Sequence, residues 1–209
     1  MRKDLRKTEK CAAICKKKER NRSVLTNFGG WIMMQKSFPD EERMGGRKMK
    51  ITIVYDSVTG NTAKMAEYII EGVARVEGAE AKAFPLDGID EAYAKESAAL
   101  IVGTPTYHGY LTARMKAWLE GDPSKLNAAG KLGGAYATAG YIHGGGELAV
   151  QCALTHLMVA GMMTYSGGGS QGVPVIHLGP VAIAPNLDEF AELFRIYGER
   201  MARQAAKLS

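Results

Sequence analysis

Ser57-Val58-Thr59-Gly60-Asn61-Thr62 sets three hydroxyls, an amide and a glycine between two patterned segments. Before it, Ile51-Thr52-Ile53-Val54-Tyr55 alternates as a buried strand does. After it, over residues 63–70, Met65, Ile69 and Ile70 share one helical face. A strand, a tight turn and a helix start make a cup for an anion. The first helical amides have no partner within the helix, and the dipole aims them at whatever sits there. Ser57, Thr59 and Thr62 add hydroxyl donors, Asn61 an amide, and Gly60 lets the backbone come close. A charge-assisted hydrogen bond contributes roughly 1.5–3 kcal/mol, against about 0.3–1 kcal/mol for the dipole. The donors therefore decide the affinity. With no Lys or Arg in the loop, the cup suits one phosphate monoester, not a nucleotide triphosphate.

Other chemistries fit less well. The Gly-x-x-x-x-Gly-Lys-Ser/Thr loop of nucleotide triphosphatases is absent. A dinucleotide fingerprint is matched only loosely by Gly144-Gly145-Gly146-Glu147-Leu148-Ala149. About 20 residues further on, where an acid should meet a ribose, stand Tyr165 and Ser166. A loop that caps a helix is the alternative reading of those glycines. The four histidines (His108, His143, His156 and His177) show no metal-ligand spacing. His156 and His177 read as structural.

Elements that would position the cup alternate along the chain. A second strand is expected over residues 80–86, a short helix over 89–95, and a third strand that ends at Thr104, where Pro105 diverts the chain. Helices follow over 111–119 and 147–159, with a fourth strand over 133–140 between them. A fifth, irregular strand is expected over 162–166. The last helix, 187–208, turns Leu187, Phe190, Phe194, Tyr197 and Met201 inward. Alternation of this kind implies a parallel sheet with helices on both faces. Ligands of such sheets sit at the carboxyl ends of the strands, where the strand order reverses.

The run Ser-x-Thr-Gly-Asn-Thr after the first strand resembles the FMN phosphate loop of the flavodoxin-like superfamily. Two further segments agree in order and spacing. Ala99-Leu100-Ile101-Val102-Gly103-Thr104-Pro105-Thr106-Tyr107 is similar to that superfamily's third strand and the loop beside the flavin ring. Gly133-Gly134-Ala135-Tyr136-Ala137-Thr138-Ala139-Gly140, followed by Gly144-Gly145-Gly146, is similar to its fourth strand and second ring-flanking loop. The Gly-Thr-Pro-Thr run and the glycine-rich second loop are most similar to WrbA-type NAD(P)H:quinone oxidoreductases and the related FMN reductases. The chain departs from that group in lacking its long insertion before the third strand, within residues 85–97. It also lacks an aromatic residue in 122–127, and the ring-contacting histidine would fall at Val159 or Ala160.

The resemblance implies an α/β fold, a doubly wound five-stranded parallel sheet in the order 2-1-3-4-5, over residues 49–209. It implies FMN held by Ser57, Val58, Thr59, Gly60, Asn61 and Thr62, by Thr104, Pro105, Thr106 and Tyr107, and by Thr138, Ala139, Gly140, Tyr141 and Gly144. Tyr107 and Tyr141 would flank the ring or stand as surface tyrosines. His108 and His143 would meet a substrate as the catalytic candidates or remain solvated. The activity implied is hydride transfer from NADH or NADPH to a quinone or similar small-molecule acceptor, in a homo-dimer or tetramer. The alternative is a carrier that binds FMN and serves a redox partner protein. No metal is expected.

Composition bounds these readings. The formal charge of +5 is unevenly spread: residues 1–48 carry 14 Lys/Arg against 6 Asp/Glu, and residues 49–209 carry 13 against 16. The folded part is mildly acidic, so the basic pI is no argument for nucleic acid. Cys11, Cys15 and Cys152 make neither a disulfide framework nor a zinc site, and Cys152 reads as a small buried hydrophobe. No apolar run reaches the ~18 residues of a membrane span, and a cytoplasmic setting is expected. Residues 1–48 read as a basic, disordered leader, with Trp31-Ile32-Met33-Met34 as its one apolar stretch. Gly45-Gly46-Arg47-Lys48-Met49 can be encoded by purine codons containing GGAGG before ATG, the pattern of a bacterial ribosome-binding site. Translation is accordingly expected to start at Met49 or Met44.

Overall fold

The computed structural model describes residues 48–209, and the expectations for residues 1–47 lie outside them. Strand β1 (Met49–Tyr55) lies between β2 (Ala79–Pro85) and β3 (Ala99–Tyr107), and all three are parallel. Next comes β5 (Leu132–Ala139), then β6 (Met163–Thr164), for a sheet order β2-β1-β3-β5-β6. Two short strands lie off this path: β4 (Tyr110–Leu111) folds back antiparallel on β3, and β7 (Val181–Ile183) runs parallel to β5. The helices are α1 (Asn61–Val73), α2 (Glu91–Glu96), α3 (Ala113–Leu119), α4 (Gly146–Val159) and α5 (Ala191–Ala205). The doubly wound order implied by the resemblance is the order found, with two short strands added.

Period-2 alternation divides the core in two. Ile51, Ile53 and Ile101 join Met65 and Ile69 of α1 with Phe194, Tyr197 and Met201 of α5 on one face of the sheet. Val54, Leu100 and Val102 join Met115 and Trp118 of α3 with Val150, Ala153 and Leu157 of α4 on the other. Thr52 is fully buried, and its hydroxyl is satisfied at 2.8 Å by Ser97, whose own hydroxyl donates to the Tyr93 carbonyl. Helices α1 and α5 touch backbone to backbone, since a Cβ at Gly198 would stand 2.2 Å from the Ile69 carbonyl oxygen.

Four local expectations are corrected. Strand β3 does not stop at Thr104 but continues through Pro105 to Tyr107, with Pro105 opposite Thr138. Gly103 turns its carbonyl toward β1, where the Asp56 amide donates to it at 3.0 Å. Pro105, two residues on, faces the same side after β1 has ended, so its missing N–H removes no ladder bond. The segment expected to open a helix at Leu111 first forms β4, and α3 starts at Ala113 behind the cap residue Thr112. The fifth strand is split. Strand β6 pairs with Leu132 and Gly133, the chain leaves the sheet, and β7 returns opposite Ala137, Thr138 and Ala139. Gly167, Gly168 and Gly172 take positive φ in the excursion, which breaks extended backbone. The Arg200 guanidinium donates to the carbonyls of Gly167, Gln171, Gly172 and Pro174 there, in place of a strand ladder. Finally, Cys152 is only partly buried, packed at the edge of the second cluster, with its sulfur 2.5 Å from the Tyr110 hydroxyl.

Candidate functional site

The sequence-predicted segments lie at or just beyond strand carboxyl ends, beside the point where the sheet order reverses between β1 and β3: residues 104–107 close β3, and Thr138 and Ala139 close β5. Gly60 stands before α1 at φ +86, where a side chain would be strained although space is open. Ser57 Oγ accepts from the Ala63 amide at 3.2 Å, and the Lys64 amide bonds the Gly60 carbonyl. Among the described residues no acceptor faces the amides of Thr59, Gly60, Asn61 and Thr62. No acidic side chain lies in the first turn to compete for them. Lys64, the cation nearest in sequence, is held by Asp188 at 2.6 Å. That bond raises the lysine pKa and, with the Tyr68 hydroxyl, lowers that of the carboxyl. The cup therefore consists of neutral donors.

Strand β5 supports the cup from beneath. The Thr62 hydroxyl, buried, lies 2.9 Å from the buried Thr138 hydroxyl. Tyr136, fully buried and edge-on to Phe194, donates its hydroxyl to the Thr62 carbonyl at 3.0 Å. Burial raises its pKa well above the usual phenol value, so it stays a donor. Gly103 leaves the room this ring needs, because a Cβ there would stand 2.0 Å from it.

Beyond β3 the chain makes a two-residue hairpin, Tyr107-His108-Gly109-Tyr110, with φ +52 at His108 and +77 at Gly109. Two consecutive positive φ values suit the twist of a tight hairpin. Gly109 packs against the second loop: a Cβ at Gly145, itself at φ +87, would come within 2.4 Å of the Gly109 carbonyl oxygen. A Cβ at Gly146 would come within 2.5 Å of Val181. The glycines thus let the two loops close on each other. Tyr107, Tyr141, Ile142 and Val58 stand exposed around them, as do His108, His143 and Gly140.

A further group was missed by sequence reasoning. Asp56, at the carboxyl end of β1, is 2% exposed. Its carboxylate accepts from the Thr112 hydroxyl at 2.7 Å and from Arg114 at 3.0 Å. Thr112 in turn caps α3 by accepting from the Met115 amide, and Arg114 also pairs with Asp87 after β2. One buried carboxylate thereby joins the end of β1 to the start of α3, and Arg114 extends the link to the loop after β2. The available signal was an Asp ending an apolar strand, next to the hydroxyl-rich loop.

Among known proteins, the sequence model of the Flavodoxin family matches residues 53–160. The chain is 43% identical over 160 residues to a flavodoxin of Clostridium saccharobutylicum, which covers 77% of this chain and 99% of that protein. The chain belongs to the flavodoxin family. It is also 29% identical over 206 residues to an NAD(P)H dehydrogenase (quinone) of Methanosarcina barkeri, covering 77% of this chain and 99% of that one. A flavodoxin, WrbA-like protein from Agrobacterium tumefaciens shares the fold at a TM-score of 0.64 and 24% identity, over 78% of this chain and 100% of that one.

The flavodoxin family implies FMN, and the residues present fit it. Thr106, where β3 enters the hairpin, carries a buried hydroxyl with no partner in the protein. It and the open amides of residues 59–62 are unmet donors on converging loops, as a ligand with a phosphate and a polar ring requires. Thr104 is committed elsewhere: its hydroxyl donates to the Pro105 carbonyl and accepts from the Thr112 amide. Among the described residues no cluster of three or more His, Cys, Asp or Glu could hold a metal, and no helix is long and apolar enough to cross a membrane.

Proposed function

We propose that this protein binds FMN by its phosphate at residues 57–62 and carries electrons for a redox partner protein. When bound, the flavin supplies one- and two-electron transfer. The chain's residues anchor the phosphate with amides and hydroxyls, offer the Thr106 hydroxyl to the ring, and frame it between two loops. The observation that carries the carrier reading is the seating of Gly145 on Gly109. One role for small residues beside the ring is to keep a face open for a nicotinamide. In the fold these glycines let the loops pack together, beneath an exposed rim of Tyr107, Tyr141 and Ile142 suited to a protein surface. Length supports the same reading. The flavodoxin of Clostridium saccharobutylicum aligns over 160 positions with almost no interruption, whereas the quinone dehydrogenase needs 206 positions to match the same share of this chain. The additional positions have no counterpart here.

A second reading is an FMN-dependent oxidoreductase passing hydride from NADH or NADPH to a quinone, as a homo-oligomer. It draws on the mild acidity of residues 49–209 and on the quinone dehydrogenases among the relatives. One anaerobic experiment separates the two. FMN, and not FAD, should be released on denaturation. Dithionite should then reduce the holoprotein in two resolved one-electron steps, while millimolar NADH or NADPH leaves it oxidised. Rapid bleaching by either nicotinamide, with colour restored by benzoquinone, establishes the reductase instead.

A further inference from the structure

We propose that Thr138 is a positioning residue for the phosphate cup, acting through Thr62. From the end of β5 it turns the Thr62 hydroxyl into a donor aimed at the phosphate. This rests on the FMN reading above and deepens it, by giving one residue of the second ring-flanking loop a role at the phosphate.

The two hydroxyls lie 2.9 Å apart, and both residues are buried. Among the described residues neither hydroxyl has another hydrogen-bond partner. A hydroxyl carries one proton to donate. Were Thr62 to donate to Thr138, the head of α1 would turn a lone pair toward the place where its amides and dipole favour an anion. With Thr138 donating, Thr62 accepts from below and its own O–H is left for the phosphate. Two hydroxyls in series polarise each other, so the outer donor is stronger than an isolated one. The same residue is gripped at a second atom, because Tyr136 on the same strand donates to the Thr62 carbonyl. Strand β5 thus sets both the backbone and the side chain of Thr62. Thr138 also opens the segment leading to Gly140 and Tyr141, so the cup and the second loop share one fixed point.

The test uses the full chain, stripped of flavin, as wild type, Thr138→Val and Thr138→Ser. Each is titrated with FMN and with riboflavin by flavin-fluorescence quenching, and its melting temperature is recorded. Valine keeps the shape and removes the hydroxyl. It should weaken FMN about tenfold and change riboflavin by less than about twofold; serine should restore the wild-type ratio. A general loss of structure would lower both affinities together, so the FMN-to-riboflavin ratio isolates the positioning role. Equal losses for the two flavins, or an unchanged ratio, overturn the proposal while leaving FMN binding intact. A wild-type chain that binds neither flavin overturns the FMN reading and this inference with it. Should the valine variant not fold, Thr138→Ala is read by the same ratio.

Discussion

At the residue scale, the cup's chemistry is spread over neutral donors, so no one side chain carries it. Thr59→Ala combined with Thr62→Ala should weaken FMN by about 2–5 kcal/mol and leave riboflavin nearly unaffected, because in the proposed binding mode those hydroxyls serve the phosphate. Isothermal titration with both flavins checks this, and equal losses would remove the loop as the phosphate site. Asp56 presents a different balance. Its buried carboxylate is satisfied by Thr112 and by Arg114, whose side chain is half exposed. Asp56→Ala should destabilise the protein by about 2–3 kcal/mol, since the cap residue Thr112 then loses its buried acceptor. Urea unfolding measures the change. Tyr136→Phe keeps the ring and deletes one hydrogen bond to Thr62, so it should cost about 1 kcal/mol in the same assay.

At the element scale, close approach of backbones holds the site. Gly145 lets the loop before α4 meet the hairpin between β3 and β4. Gly145→Ala places a Cβ against the Gly109 carbonyl at a positive φ, a strain and a clash together. We expect about 2–3 kcal/mol of destabilisation and a loss of affinity that riboflavin shares with FMN, because the ring-side loops, and not the cup, are displaced. Thermal unfolding with both titrations tests that pairing. Gly198 has the same place in the α1–α5 crossing, yet it lies away from the cup, so Gly198→Ala should lower stability by a similar amount without altering the FMN-to-riboflavin ratio.

At the scale of the molecule, the sequence of residues 1–48 carries no apolar face of helical period. A chain that starts at Met49 should therefore fold, bind FMN and melt as the full chain does; insolubility or loss of flavin would make the preceding residues part of the fold. Flavin bound only by the native state also stabilises it by linkage. FMN at a hundred times its dissociation constant should add about 2.7 kcal/mol, read as a shift of the urea midpoint. Riboflavin at the same absolute concentration should add less, because it lacks the phosphate's contribution to affinity.

Sequence alone determined the alternation of strands and helices and the segments that carry the three candidate loops, while the sheet order came from the family resemblance of those segments. The elements and the segments are written in local pattern: apolar alternation of period two, helical faces, and a hydroxyl-rich turn between them. It also marked the glycines of residues 144–146, though not their purpose. Only the tertiary structure shows the contact that Gly145 makes, because its partner Gly109 lies some 35 residues away. The tight hairpin was not read from the sequence, although a residue followed by glycine between Tyr107 and Tyr110 suits two positive φ values. Nor was the passage of β3 through Pro105, because it depends on where a neighbouring strand ends. The split fifth strand likewise depends on Arg200, far along the chain, holding the carbonyls of the excursion. Asp56, Thr112, Arg114 and Asp87 are unremarkable one at a time; a buried carboxylate acquires its role only when the fold brings its partners within hydrogen-bond distance.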